Sequence, residues 1–305
     1  MDKRKKILLG PGLVAIIFIL LKLSARFGSD IITNGDRAYL ALIFLQMLIF
    51  VLPAILYCKL RPPSFTESVK MRALSPDKIP ITVLAALILL LGSAIIKLLL
   101  CHLGVELASY SLYSYSVPQG GGGFAEVLYV LTVFALIPAL TEEFVFRGVL
   151  QAEYEDFGIV LSILIPALLF SMLHFSLSTF VIYLFGGAVL GFTAYITKSL
   201  IAPMLLHMIN NVFGIFVESY IWDVFARPEN IVFVIFILLA LFLMFLIFFL
   251  SEAERILYNL GLSNEPSPSG PRTAKKWFLQ LRQILLSPTF IICFVIFILS
   301  VCKVI

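Results

Sequence analysis

The sequence predicts an all-α fold: a polytopic integral membrane helix bundle of about eight core spans plus one extra span at the C-terminus. Three observations lead there. Of the 305 residues, 61% are hydrophobic and only 13% charged. Mean hydropathy is +1.07, far above that of soluble domains. The apolar residues also gather into nine runs close to the roughly 20 residues a helix needs to cross a bilayer. They lie at about 7–23, 38–58, 79–101, 124–150, 159–175, 177–197, 200–221, 231–250 and 288–302. With the apolar content consumed by spans, a soluble core, a nucleic-acid partner and a disulfide scaffold are excluded.

The first run follows Lys3, Arg4, Lys5 and Lys6 and imitates a secretory signal. Large Leu23 and charged Lys22 occupy the positions where a cleavable signal needs small neutral residues, so an uncleaved helix is expected. The second and third runs complete an N-terminal three-span region, 1–123. Gly120 to Gly123 precede the fourth run, but no Gly-Lys-Ser/Thr follows, so this is a flexible external loop and not a phosphate cradle. Runs four to seven form a core, 124–221, that bears the polar residues discussed below, and the eighth run occupies 222–250.

Composition changes at 251–287, where Asn264-Glu265-Pro266-Ser267-Pro268-Ser269-Gly270-Pro271 reads as a cytoplasmic linker. After it, Lys275, Lys276 and Arg282 alternate with Trp277, Phe278, Leu281 and Leu285 at helical spacing. That pattern suits an interfacial helix on the inner leaflet, or equally a tether to the last span, 288–305.

Basic residues beside the runs fall fifteen on one side and four on the other, which places the N-terminus in the cytoplasm, with the plasma membrane of a prokaryote as the expected location. Cys58, Cys101, Cys293 and Cys302 have no metal-ligand spacing and read as buried thiols. The last four residues, Cys302-Lys303-Val304-Ile305, fit a prenylation box, but this end is expected outside, away from prenyltransferases, so the fit is read as coincidence.

An ionisable group inside a span is costly and is by default a functional hypothesis with a partner to be found. The fourth run carries Thr141-Glu142-Glu143-Phe144-Val145-Phe146-Arg147. Glu143 and Arg147 are four apart with the carboxylate first, the favourable order for a helical ion pair. Glu142 points about 100° away around the helix and needs a partner from another helix. The fifth run places Phe170 and His174 on one face, and the seventh does the same with His207 and Asn211.

Taken one at a time, such residues serve as interhelical glue. Taken together, a carboxylate base, two imidazoles and a carboxamide are sufficient for amide hydrolysis. Glu142 takes a proton from an attacking water that His174 orients, and His207 and Asn211 donate to the oxyanion. Arg147, paired with Glu143, supports the helix face.

Glu142-Glu143-x-x-x-Arg147, Phe170-x-x-x-His174 and His207-x-x-x-Asn211, in that order on three runs, resemble the CPBP (ABI) family of intramembrane proteases, which includes the type II CAAX prenyl endopeptidases. The resemblance covers about 124–215. It implies a helical membrane fold with a conical cavity, a glutamate-activated water, and a membrane-embedded or lipidated protein substrate. No cofactor is favoured. Zinc is the alternative, because two histidines and two glutamates can ligate it, but one glutamate is committed to Arg147 and no His-Glu-x-x-His helix exists. The contrasting reading is a non-catalytic transporter, or a bacteriocin-immunity or partner-binding protein, using the same cluster as a proton or ligand site.

Depth raises one conflict. At about 1.5 Å per residue, Glu142 lies roughly 7 Å and His207 roughly 5 Å inward of their span centres, while His174 lies roughly 10 Å outward. The fifth helix is therefore expected to stop inside the bilayer at His174, with Phe175 to Ser178 as a break facing a wet cavity. Pro138 is expected to bend the fourth helix.

Overall fold

In a computed structural model the chain is described over residues 3–27, 35–69, 71–107, 123–218, 225, 227, 229–259 and 274–304. The expected linker at 264–271 and most of the glycine run lie outside the described residues. Among those described, regular structure is helical throughout. The helices are α1 (Lys3–Phe27), α2 (Gly35–Gln46), α3 (Leu52–Lys59), α4 (Pro63–Ser68), α5 (Ile79–His102), α6 (Phe124–Val130) and α7 (Ile137–Glu143). They continue as α8 (Gln151–Tyr154), α9 (Ile159–Leu173), α10 (Phe180–Thr197), α11 (Ile201–Phe216), α12 (Ile231–Asn259), α13 (Ala274–Leu285) and α14 (Pro288–Val301). Three π-helical turns, Met47–Val51, Leu131–Leu136 and Phe144–Leu150, join α2 to α3, α6 to α7 and α7 to α8.

The protein is a multi-pass helical membrane protein, but its nine apolar runs are not nine equal spans. Six described stretches are long and apolar enough to cross: Ile7–Arg26, Tyr39–Lys59, Pro76–His102, Phe124–Phe157, Phe180–Thr197 and Ile231–Asn259. α13 and α14 meet at a 60° bend and make a seventh if taken as one crossing. α9 and α11 are shorter, and the 15 residues of α9 reach only about 22 Å against a hydrocarbon core of about 30 Å. Window hydropathy misses this because the residues after His174 remain apolar while the backbone stops being helical.

Two of the π turns have a cause in the sequence. Pro53 and Pro138 lack the N–H that would bond four residues back, and their rings crowd that carbonyl. In each case the helix widens just upstream, over Met47–Val51 and Leu131–Leu136, before regular α-helix resumes around the proline. Pro138 is thus absorbed within one continuous stretch, Phe124–Phe157, instead of breaking it. No proline accounts for the third π turn, which begins directly after Glu143.

α9 and α10 form a hairpin whose contact rests on small residues. Gly187 and Gly191, four apart on α10, face α9; a Cβ at Gly187 would sit 3.0 Å from Ala167 and one at Gly191 3.2 Å from Ile163. This small-xxx-small seam brings the backbones close, and it leaves two α10 carbonyls within reach of the third π turn and α8. Arg147 donates to the Gly187 carbonyl at 3.2 Å, and Gln151 donates to that of Gly191 at 2.9 Å. Gly187→Val is expected to lower stability by about 1–3 kcal/mol through overpacking against a backbone that cannot yield. Gly12→Ala, whose nearest neighbour across the gap is a Thr289 methyl at 3.6 Å, is expected to change little. Thermal melts in detergent check both.

The last helix is part of the bundle. α14 packs along α1, with the buried Cys293 thiol donating to the Pro11 carbonyl at 3.3 Å. Both helices contribute to one apolar cluster with the third π turn and α9. At the ends of α3 and α8, Arg61 and Glu153 form a buried ion pair at 2.6 Å, with Arg61 also donating to the Tyr57 hydroxyl at 2.5 Å. The four thiols are free; Cys293 is buried, Cys58 and Cys101 are half-buried, and Cys302 is exposed just past α14, so the expectation of four buried thiols holds fully only for Cys293.

Candidate active site

The two adjacent glutamates end α7, at the seam where the α-helix opens into the π turn Phe144–Leu150. Successive helical residues diverge by about 100°, and the two carboxylates meet different surroundings. Glu143 is completely buried. Its Oε1 accepts from Arg147 Nη1 at 2.6 Å and from His207 Nδ1 at 2.8 Å. The expected ion pair with Arg147 is therefore present, and it has a member that sequence spacing did not supply, an imidazole from α11.

Glu142 is half-buried, and its Oε1 accepts from the Gln46 amide at 3.3 Å. The same Nε2 donates to Thr141 Oγ1, also at 3.3 Å. The partner that Glu142 needed from another helix is thus an uncharged carboxamide at the end of α2. Sequence reasoning missed Gln46, although a signal was there: between Tyr39 and Cys58 it is the one amide or charged side chain.

His174 caps α9, so the helix stops where the depth argument required. The chain then turns through Phe175, whose φ of 48° lies in the left-handed region, and helix resumes at Phe180. Several contacts hold this break. Ser171 donates to the Phe180 carbonyl. Phe18 packs edge-on against Phe175 at 5.2 Å, Lys22 lies 4.4 Å from the centre of the same ring, and Phe297 of α14 meets Phe180 at 5.7 Å. The His174 ring stacks on Tyr183 of α10 with centroids 3.4 Å apart.

Phe170 gathers the cluster. Its ring lies edge-on to His174 at 5.1 Å and to His207 at 5.8 Å, and the Arg147 guanidinium carbon sits 4.5 Å from its centre. The structure thereby brings together Glu143, Arg147, His174 and His207 from three separate helical stretches, with Glu142 on the neighbouring position of α7. Asn211 follows His207 by one turn on the same helix and is half-buried.

The hydrogen bonds constrain both imidazoles. His174 Nδ1 lies 3.0 Å from the Phe170 carbonyl. A carbonyl and an ionised carboxylate only accept, so Nδ1 carries the proton in both rings and each presents Nε2 as its remaining valence. In the neutral ring that nitrogen accepts; in the imidazolium it donates. As for zinc, no three His, Cys, Asp or Glu side chains among the described residues stand close enough together to hold a metal ion.

Neither curated proteins nor solved structures yield a match to this chain. A family comparison does: residues 124–213 match the family described as type II CAAX prenyl endopeptidase Rce1-like. The matched segment begins with α6 and closes two residues beyond Asn211, so it contains all three motifs and the α9–α10 hairpin. Over residues 124–213, the part of the chain that bears the three motifs, this protein is similar to the Rce1-like type II CAAX prenyl endopeptidases.

Proposed function

We propose that the protein is an intramembrane endopeptidase that cleaves a membrane-anchored or prenylated protein by a glutamate-activated water. The observation that carries this reading is the unequal treatment of two adjacent carboxylates. Glu143 is sealed between a guanidinium and an imidazole, whereas Glu142 accepts its hydrogen bond from a neutral amide and stays half-buried. One glutamate is architecture and the other is available as a base.

In this mechanism a water bridges the Glu142 carboxylate and Nε2 of His174, both acceptors, so that its lone pair faces the scissile carbonyl. Glu142 takes the water proton as the C–O bond forms, and the proton passes to the leaving amine when the C–N bond breaks. The oxyanion accepts from the Asn211 amide and from Nε2 of His207. His207 donates there as the imidazolium, with its Nδ1–H on Glu143. Glu142, Glu143, Arg147 and charged His207 then sum to zero, which suits a weakly solvated site.

The basic residues of the N-terminus and the inner loops support an active side facing the cytoplasm. The test is a comparison of membrane proteomes from cells carrying wild type or Glu142→Gln; a cleavage product present only with the wild type is expected, and identical proteomes sink the proposal. A chelator decides the metal question: full activity after exhaustive treatment is expected, and loss reversed by zinc overturns the metal-free chemistry.

A further inference from the structure

Gln46 lies far outside the family match, yet it is the residue that reaches Glu142 from another helix. A carboxamide within an apolar span is costly and is kept where it has a partner. Its Nε2 has two acceptors, Thr141 Oγ1 and Glu142 Oε1, both at 3.3 Å. Thr141 is itself fixed, because its hydroxyl donates back to the Ile137 carbonyl at 2.9 Å. The amide is therefore anchored to a rigid point beside the carboxylate it contacts.

Its place on the backbone adds to the case. Gln46 is the last residue of α2 before the π turn Met47–Val51, and Glu142 stands two residues before the π turn Phe144–Leu150. Two helices thus meet where each changes register, and Pro53 fixes the first of those changes. The donor type also matters. A guanidinium or ammonium here would form an ion pair and quench the base, as Arg147 does for Glu143. An amide N–H orients a carboxylate and leaves it its charge.

We infer that Gln46 is a positioning residue for Glu142: its amide N–H holds one carboxylate oxygen and thereby turns the other toward the attacking water. This rests on Glu142 being the base. Interhelical glue between α2 and α7 needs only the bond to Thr141; the positioning role uses the second contact, to Glu142 Oε1.

The test uses the full-length protein in detergent with an internally quenched, farnesylated CaaX peptide. Gln46→Leu is expected to lower kcat roughly 10- to 100-fold, the scale of a misplaced catalytic group, with KM and melting temperature unchanged. Gln46→Glu, of the same shape but without the N–H donor, is expected to lose as much and serves if the leucine variant fails to fold. Gln46→Lys restores a donor with charge and is expected to stay slow. Glu142→Gln runs in parallel. If it cleaves like the wild type, or the wild type does not cleave, the functional reading falls and the role of Gln46 with it. If Glu142→Gln is dead while Gln46→Leu and Gln46→Glu keep full kcat, only the inference about Gln46 is overturned. It is likewise overturned if the loss of activity follows a matching fall in melting temperature.

Discussion

Glu142→Gln is expected to reduce peptide-bond cleavage by about 100- to 10,000-fold, the range for loss of a general base, while the protein melts at the wild-type temperature. The second half of that statement is the more discriminating. Among the described residues Glu142 accepts one 3.3 Å hydrogen bond, from an uncharged amide, and it is partly open. A glutamine in its place is nearly isosteric, carries no charge to desolvate, and keeps an oxygen for Gln46. The side chain's shape is kept, so the main effect should appear in rate. His174→Ala should behave alike in rate, because its Nε2 is the second acceptor for the water, although loss of the stack on Tyr183 and of the bond to the Phe170 carbonyl will soften the break after α9. Turnover per folded molecule, paired with melts of the same preparations, checks both. Full turnover by Glu142→Gln would remove the base from the mechanism.

Much of this site was legible in the sequence because charged and polar residues in an apolar run are rare enough to be informative. Glu143 and Arg147 announced an ion pair by spacing alone, and the depth argument required the fifth helix to stop at His174, where α9 ends. The missing parts share a physical reason. Gln46 and the His207 to Glu143 bond join residues 96 and 64 positions apart, and periodicity along one helix says nothing about which helix lies opposite. The seam of Gly187 and Gly191 was not singled out from the sequence, and its second task, presenting carbonyls to Arg147 and Gln151, appears only once the partner helix is placed. Nor did counting apolar runs reveal which are short, because hydropathy is blind to where a backbone stops being helical. The last run, which the family resemblance left without a purpose, packs on α1 and touches Phe180 at the break that follows His174.

The opposite signature is expected at the neighbouring carboxylate. Arg147→Met leaves Glu143 as a completely buried charge with only the His207 imidazole beside it, and Glu143→Gln strands a buried guanidinium; each should cost about 3–5 kcal/mol. Arg147 also loses its bond to the Gly187 carbonyl and its seat on Phe170, so its removal should loosen the α9–α10 hairpin as well. The double variant Glu143→Gln/Arg147→Met removes both charges together. If the pair acts chiefly as mutual neutralisation, the double variant should recover most of the lost stability, with a coupling energy well above that of independent sites. Activity should not return with it. His207 would then rest on an uncharged amide oxygen, without the carboxylate that allows its imidazolium to face an oxyanion. A double variant as unstable as its worse parent would mean that packing of these side chains, and not their charges, holds the helices. A double variant that is both stable and active would show that His207 needs no counter-charge, and the four-group neutrality of the proposed transition state would have to be abandoned.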